Sequence, residues 1–183
     1  MADHHIEIEA KWRVDGDGHA PLRDALRLLG ATHESTCDET NTLFDTPGES
    51  LRRDGRVLRL RTIGEQSLLT FKGPATYRDG VKSRDEAELE VAGSAMLRIL
   101  DGLGYRPSLE YRKTRETWKL DGARVALDTL DFGDFVEIEG ADEQVRGIAG
   151  QLGLEMDRAV EKGYPSLMRA HLARTEPDAR YGR

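Results

Sequence analysis

The sequence predicts one α+β domain carried by antiparallel strands. Seven segments alternate apolar and charged side chains with period two, and three of the four helical segments are short and stop at a Leu-Gly pair. The length of 183 residues fits a single domain, taken as residues 1–173 with a charged tail at 174–183 expected to fray. Hydrophobic residues are 38% and charged residues 33%, with a net charge of −7. Charges interleaved this regularly with apolar residues argue for a folded chain over a disordered one.

The strands follow in order. Ile6, Ile8, Ala10 and Trp12 alternate with Glu7, Glu9 and Lys11. Leu58 and Leu60 stand against Arg59 and Arg61, and Leu69 and Phe71 against Thr70 and Lys72, before Gly73-Pro74 ends the run. Over 84–91, Ala87, Leu89 and Val91 oppose Arg84, Glu86, Glu88 and Glu90. Lys113, Arg115 and Thr117 share one parity of 111–119. Segments 124–129 and 135–139 place Val125 and Leu127 opposite Asp128, and Val136 and Ile138 opposite Glu137 and Glu139, with 130–134 as the turn between them. Helices are expected at 21–29, with Pro21 in the first turn, at 94–103, capped by Ser94, at 142–152, and at 165–173. Gly30, Gly104 and Gly153 are their stops.

The charged parities collect Lys11, Arg59, Arg61, Lys72, Arg84, Lys113 and Arg115 with Glu7, Glu9, Glu86, Glu88, Glu90, Asp128, Glu137 and Glu139. Two arrangements fit: a solvated outer sheet face, or a sheet rolled into a barrel with its charged face inside and helices over its apolar face. The small apolar inventory fits the barrel. A lumen holding both signs is costly to desolvate unless it is wet, cross-paired or filled by a matching ligand. Arginine and lysine suit phosphate oxygens, and clustered carboxylates suit Mg²⁺ or Mn²⁺, so a polyphosphate site is the economical reading; structural ion pairs are the alternative.

The motifs resemble those of the CYTH domain, the triphosphate tunnel metalloenzyme superfamily, which takes in class IV adenylate cyclases, thiamine triphosphatases and inorganic triphosphatases. Glu7-Ile8-Glu9-Ala10-Lys11 is similar to its Glu-x-Glu-x-Lys signature. In the family's order follow Phe44-Asp45-Thr46-Pro47, Leu58-Arg59-Leu60-Arg61, Thr70-Phe71-Lys72-Gly73-Pro74, the 84–90 run, Lys113-Thr114-Arg115, Asp128 ahead of Glu137-Ile138-Glu139, and Lys162-Gly163-Tyr164. The resemblance implies an eight-stranded antiparallel tunnel with short helices outside and a triphosphate within. It implies phosphate-gripping roles for Arg59, Arg61, Lys72, Arg84, Lys113 and Arg115 with Lys11 beside them. For Lys162 and Tyr164 two readings stand, capping of the tunnel, with Lys162 among the substrate-binding residues, and plain surface solvation. The resemblance further implies that Mg²⁺ or Mn²⁺ is held by Glu88 or Glu90 with Glu137 and Glu139, Asp128 standing in the same set. Glu7 and Glu9 are implied as ligands of a second metal or as the pair orienting the attacking water. The choice among Glu86, Glu88 and Glu90 stays open, because all three share a parity.

The expected activity is metal-dependent hydrolysis of an inorganic or organic triphosphate. The alternatives are an adenylate cyclase, a non-catalytic polyphosphate-binding module, and an interaction domain with a charged outer face. Trp12 and Trp118 lie opposite the charged parity and are expected to pack outside. His4 and His5 have no zinc-like partners. The one cysteine, Cys37, excludes an intramolecular disulfide and fits a reducing compartment. The acidic total argues against general nucleic-acid binding, and no run approaches the ~20 apolar residues of a membrane span. A cytoplasmic protein without nucleic-acid or membrane partners, as monomer or homodimer, is the expectation.

Overall fold

The computed structural model describes residues 5–15 and 18–175, so His4 lies outside the described residues. Among the described residues, nine strands and five α-helices follow in the order β1 (His5–Val14), α1 (Ala20–Leu28), β2 (Thr32–Asp45), α2 (Ser50–Arg53), β3 (Val57–Ile63), β4 (Gln66–Lys72), β5 (Thr76–Arg78), β6 (Val81–Val91), α3 (Gly93–Gly102), β7 (Arg106–Leu120), β8 (Ala123–Leu130), β9 (Gly133–Glu139), α4 (Asp142–Gln151) and α5 (Tyr164–Thr175), with a single 3-10 turn at Met156–Arg158 between the last two. The sheet order is β1-β9-β8-β7-β2-β3-β4-β6, and β1 pairs with β6 to close it, all antiparallel. This is an eight-stranded barrel. Beyond Gly73-Pro74, β5 adds a short ninth strand against the start of β6.

Each expected strand is present, most of them longer than the alternation indicated. The 14-residue β2 lies in a region where no strand was expected. Over 36–42 its outward Thr36 and Asp38 are exposed and its inward Glu39 and Asn41 are buried, and its apolar pair, Leu43 and Phe44, is consecutive and falls on opposite faces, so no hydropathy alternation marks it. Its threonines, good strand formers, are the remaining signal. The helix at 93–102 is capped at Ala92 without a side-chain hydrogen bond, which corrects the assignment of Ser94 as its cap. Gly30, Gly104 and Gly153 do end their helices, at φ of 76°, 87° and 70°, a left-handed turn that glycine takes without steric cost.

The largest apolar core lies outside the barrel. Trp12, Val125, Leu127, Val136 and Ile138 on the outward faces of β1, β8 and β9 pack with Leu22 and Leu26 of α1 and Val145, Ile148 and Ala149 of α4. Trp118 joins this cluster, so both tryptophans pack externally as expected. A second cluster under α3 holds Phe44, Leu60 and Leu100. A third, of Leu43, Leu109, Tyr111, Phe135 and Tyr164, sits where α5 lies against the barrel. Among the described residues no helix is long and apolar enough to cross a membrane.

Candidate active site

Strand alternation sends every second side chain into the barrel, and helices cover much of the opposite face. The lumen that results is a cavity of about 820 Å³ lined by Glu7, Glu9, Lys11, Arg59, Arg61, Lys72, Arg84, Glu86, Glu88, Lys113, Arg115, Glu137 and Glu139, with Lys82 and Tyr111. The expected charged face is therefore the inner one.

The charges are cross-paired. Glu7 accepts from Lys72 Nζ and from Arg84 Nε, each at 2.7 Å. Lys72 also reaches Glu86 at 3.0 Å. Glu9 is held by Lys82 at 2.5 Å, and Lys11 lies 3.0 Å from Glu137. Arg61 donates to Glu88 at 2.9 Å, and the Thr70 hydroxyl donates to the same carboxylate at 2.6 Å. Arg115 donates to both oxygens of Asp128, at 2.7 and 2.5 Å, and to Glu137. Fully buried, Asp128 also accepts from Lys113 at 3.2 Å and from the Tyr164 hydroxyl at 2.7 Å. Tyr164 thus ties α5 to the lumen, and its ring lies 3.8 Å beneath Lys11 Nζ, a buried cation–π contact.

Burial alone would raise the carboxyl pKa values. The cations outweigh it at Glu7, where Lys72 and Arg84 hold the group well below the usual range, and at Glu137, where Lys11 and Arg115 do the same. Asp128 is likewise lowered against its burial by Arg115 and Lys113. Glu86 is the reverse case: burial pushes it up more than Lys72 brings it down. Burial also lowers Lys113, with Arg115 adding to the effect.

Two expected residues stand apart from this set. Glu90 is exposed and accepts from Gln66 at 3.1 Å, and Lys162 is exposed; neither lines the cavity. Within the open trio, Glu86 and Glu88 line the cavity, while Glu90, on the same face of β6, does not. Asp128 sits behind the cavity wall under Tyr164. Sequence reasoning missed Glu39, 3.6 Å from both Arg61 and Lys113, and Asn41, which is fully buried on the unrecognised β2. It also missed Lys82, which shares the parity of Arg84 and needed only a strand extended by two residues.

Among the described residues, three buried polar side-chain atoms lack a hydrogen-bond partner: Asn41 Oδ1 and the Nε groups of Arg59 and Arg61. The Nε–H groups of Arg59 and Arg61, on two residues that line the cavity, thus keep donor capacity that no protein acceptor uses.

The comparisons with known proteins agree with this geometry. Residues 5–164 match the CYTH domain. The chain belongs to the CYTH domain family. It is 30% identical over 176 residues to the adenylate cyclase CyaB of Aeromonas hydrophila, covering 88% of each chain. A putative adenylate cyclase from Vibrio parahaemolyticus superposes with a TM-score of 0.79 at 22% identity, over 91% of this chain and 99% of that one. A Hippeastrum protein described as a putative adenylyl cyclase with dominant triphosphatase activity superposes with a TM-score of 0.72 at 20% identity, over 90% of this chain and 96% of that one. CYTH domain proteins are typically enzymes that depend on a divalent metal and act on triphosphates.

Proposed function

We propose that this chain is a divalent-metal-dependent triphosphatase that binds its substrate inside the barrel. The observation that carries the reading is the pair of buried, acceptor-free guanidinium N–H groups on Arg59 and Arg61 in a lumen also lined by Lys11, Lys72, Arg84, Lys113 and Arg115. Phosphoryl transfer needs positioning and charge neutralisation more than covalent chemistry, and these cations supply both along a chain of phosphates.

The carboxylates suit Mg²⁺ or Mn²⁺ by their chemistry, being hard oxygen donors. Glu9 and Glu139 are direct cross-strand partners, an arrangement of like charges that is unfavourable unless a cation lies close. Here Lys82 and Arg124 occupy that role, and among the described residues no three His, Cys, Asp or Glu side chains stand together as a ready cage. Substrate phosphates that draw Arg84, Lys72 and Arg61 away from Glu7, Glu86 and Glu88 would free those oxygens. Glu7, Glu9, Glu137 and Glu139, with Glu86 or Glu88, would then hold the metal. Bound there, the metal neutralises phosphate charge and activates water. Glu7 and Glu9 orient the attacking water, while Arg59, Arg61 and Arg115 stabilise the departing phosphates. Asp128 acts behind the wall by fixing Arg115 and Lys113; Glu90 and Lys162 take no part.

The likeness to CyaB favours a second reading, ATP cyclisation, in which the same grip holds the triphosphate and a ribose hydroxyl attacks the α-phosphorus. A product assay decides between them. Inorganic triphosphate, ATP and thiamine triphosphate are each incubated with Mg²⁺ or Mn²⁺, and phosphate, pyrophosphate and cyclic AMP are measured separately. Phosphate release is expected. Cyclic AMP with pyrophosphate would replace hydrolysis by cyclisation, and no product would sink the enzyme reading. Unchanged turnover in Glu7→Gln/Glu9→Gln would remove the metal role of that pair.

A further inference from the structure

The cations that grip phosphate leave part of the cavity unexplained. Tyr77 on β5 lines it and is 42% exposed, whereas Trp12, Trp118, Tyr111, Phe135 and Tyr164 are all nearly fully buried. Its direction follows from register. Tyr77 is the direct antiparallel partner of Lys82, so both side chains leave the sheet on one side, and Lys82 reaches Glu9 inside the lumen. The ring therefore faces the cavity next to the phosphate-gripping cations.

The strand beneath the ring is held firmly. Asp79 and Gly80 both have positive φ, 49° and 81°, as a tight two-residue hairpin requires. The Met156 carbonyl oxygen lies only 2.4 Å from where a Cβ on Gly80 would stand, so the hairpin packs directly on the 156–158 turn. Arg146 donates to the Asp79 carbonyl at 3.3 Å from outside. An accessible ring on a cavity wall, carried by a hairpin whose turn is packed in place, is a stacking platform.

Other wall residues match that use. Val57, Ala75 and Pro165 contribute apolar surface to the same cavity, and the charges that act most strongly on Tyr77 are those of Arg84 and Lys11, ahead of Glu9 and Glu161, a balance that disfavours a cationic ring. The cavity volume of about 820 Å³ falls in the roughly 300–1,000 Å³ range of pockets that enclose drug-sized organic ligands.

We propose that Tyr77 is a specificity-determining residue that stacks on a neutral aromatic ring, which makes the preferred substrate an organic triphosphate of the nucleoside type. The inference rests on the triphosphate reading above. Its test is kcat/KM for ATP, thiamine triphosphate and inorganic triphosphate in wild type, Tyr77→Ala and Tyr77→Phe, all products counted. Wild type should prefer ATP over both others. Tyr77→Ala should lower the ratio of kcat/KM for ATP to that for inorganic triphosphate by roughly 5- to 100-fold, mostly through KM, and Tyr77→Phe should restore it. A ratio that does not move, or a wild-type preference for inorganic or thiamine triphosphate, would overturn the proposal. Should nothing turn over, calorimetry with a non-hydrolysable ATP analogue and with inorganic triphosphate separates the two failures. Tighter binding of the analogue that Tyr77→Ala abolishes keeps the ring site while ending the enzyme reading. Equal binding of the two, or none, ends the ring site.

Discussion

The two faces of β1 solve opposite problems. Outward, Ala10 and Trp12 join a dry core with α1 and α4; inward, Glu7, Glu9 and Lys11 join a network of buried ion pairs. The outer face gains from removing apolar area from water, at about 25 cal/mol per Å². Charges on the inner face lose hydration and recover it only through partners, so that face contributes little net stability but strongly penalises any charge left alone. Apolar stabilisation accordingly resides outside the barrel and paired charge inside it.

Acid should break this comparison most widely. The pKa values of Glu7, Glu39, Asp128 and Glu137 are depressed in the fold, so their stabilisation is fully present above the ordinary carboxylate range of about pH 4–4.5 and is lost as pH falls through the folded values. Glu86, raised by burial, works in the opposite direction and offsets part of the effect. The expected sum is a loss on the order of several kcal/mol in thermal melts between pH 7 and pH 3, and a flat melting temperature would contradict it.

Asp128→Ala probes the inner face at one point. It removes the carboxylate shared by Arg115, Lys113 and the Tyr164 hydroxyl, leaving Arg115 only Glu137 and Lys113 only Glu39, and should cost about 3–5 kcal/mol in urea unfolding. A cost below about 1 kcal/mol would mean that the network is not mutually dependent. Ile138→Ala probes the outer face on the same sheet. A cavity beneath α4 should cost about 2–4 kcal/mol while triphosphate kcat stays unchanged, since Ile138 is fully buried away from the lumen. A matching fall in kcat would show that the two faces are coupled.

The smallest effect is the most selective. Tyr164→Phe removes one hydrogen bond to a carboxylate and keeps the ring under Lys11, for an expected loss of about 1.5–2 kcal/mol. Tyr164→Leu, which also removes the cation–π contact, should lose clearly more, and equal losses would leave the ring without a role.

Much of the fold was legible because hydropathy alternation reports which face of a strand meets an apolar layer. Ile8, Ala10 and Trp12 alternate because α1 and α4 cover them, and the Leu-Gly stops mark helix ends wherever a left-handed residue is required. β2 was illegible for the same reason. Its apolar residues Leu43 and Phe44 are consecutive and set no alternation, so nothing revealed the direction of Glu39 and Asn41, and a buried lysine such as Lys82 looks in sequence like any surface lysine.

The sequence by itself determined the strand faces, most element positions and the order of charged motifs that point to the CYTH family. Only the tertiary structure decided that β1 closes on β6, that Glu86 and Glu88 but not Glu90 line the lumen, and that Tyr77 is brought beside the lumen's cations. Alternation is a local property of one strand. Closure and register are long-range pairings whose specificity comes from neighbours distant in the chain.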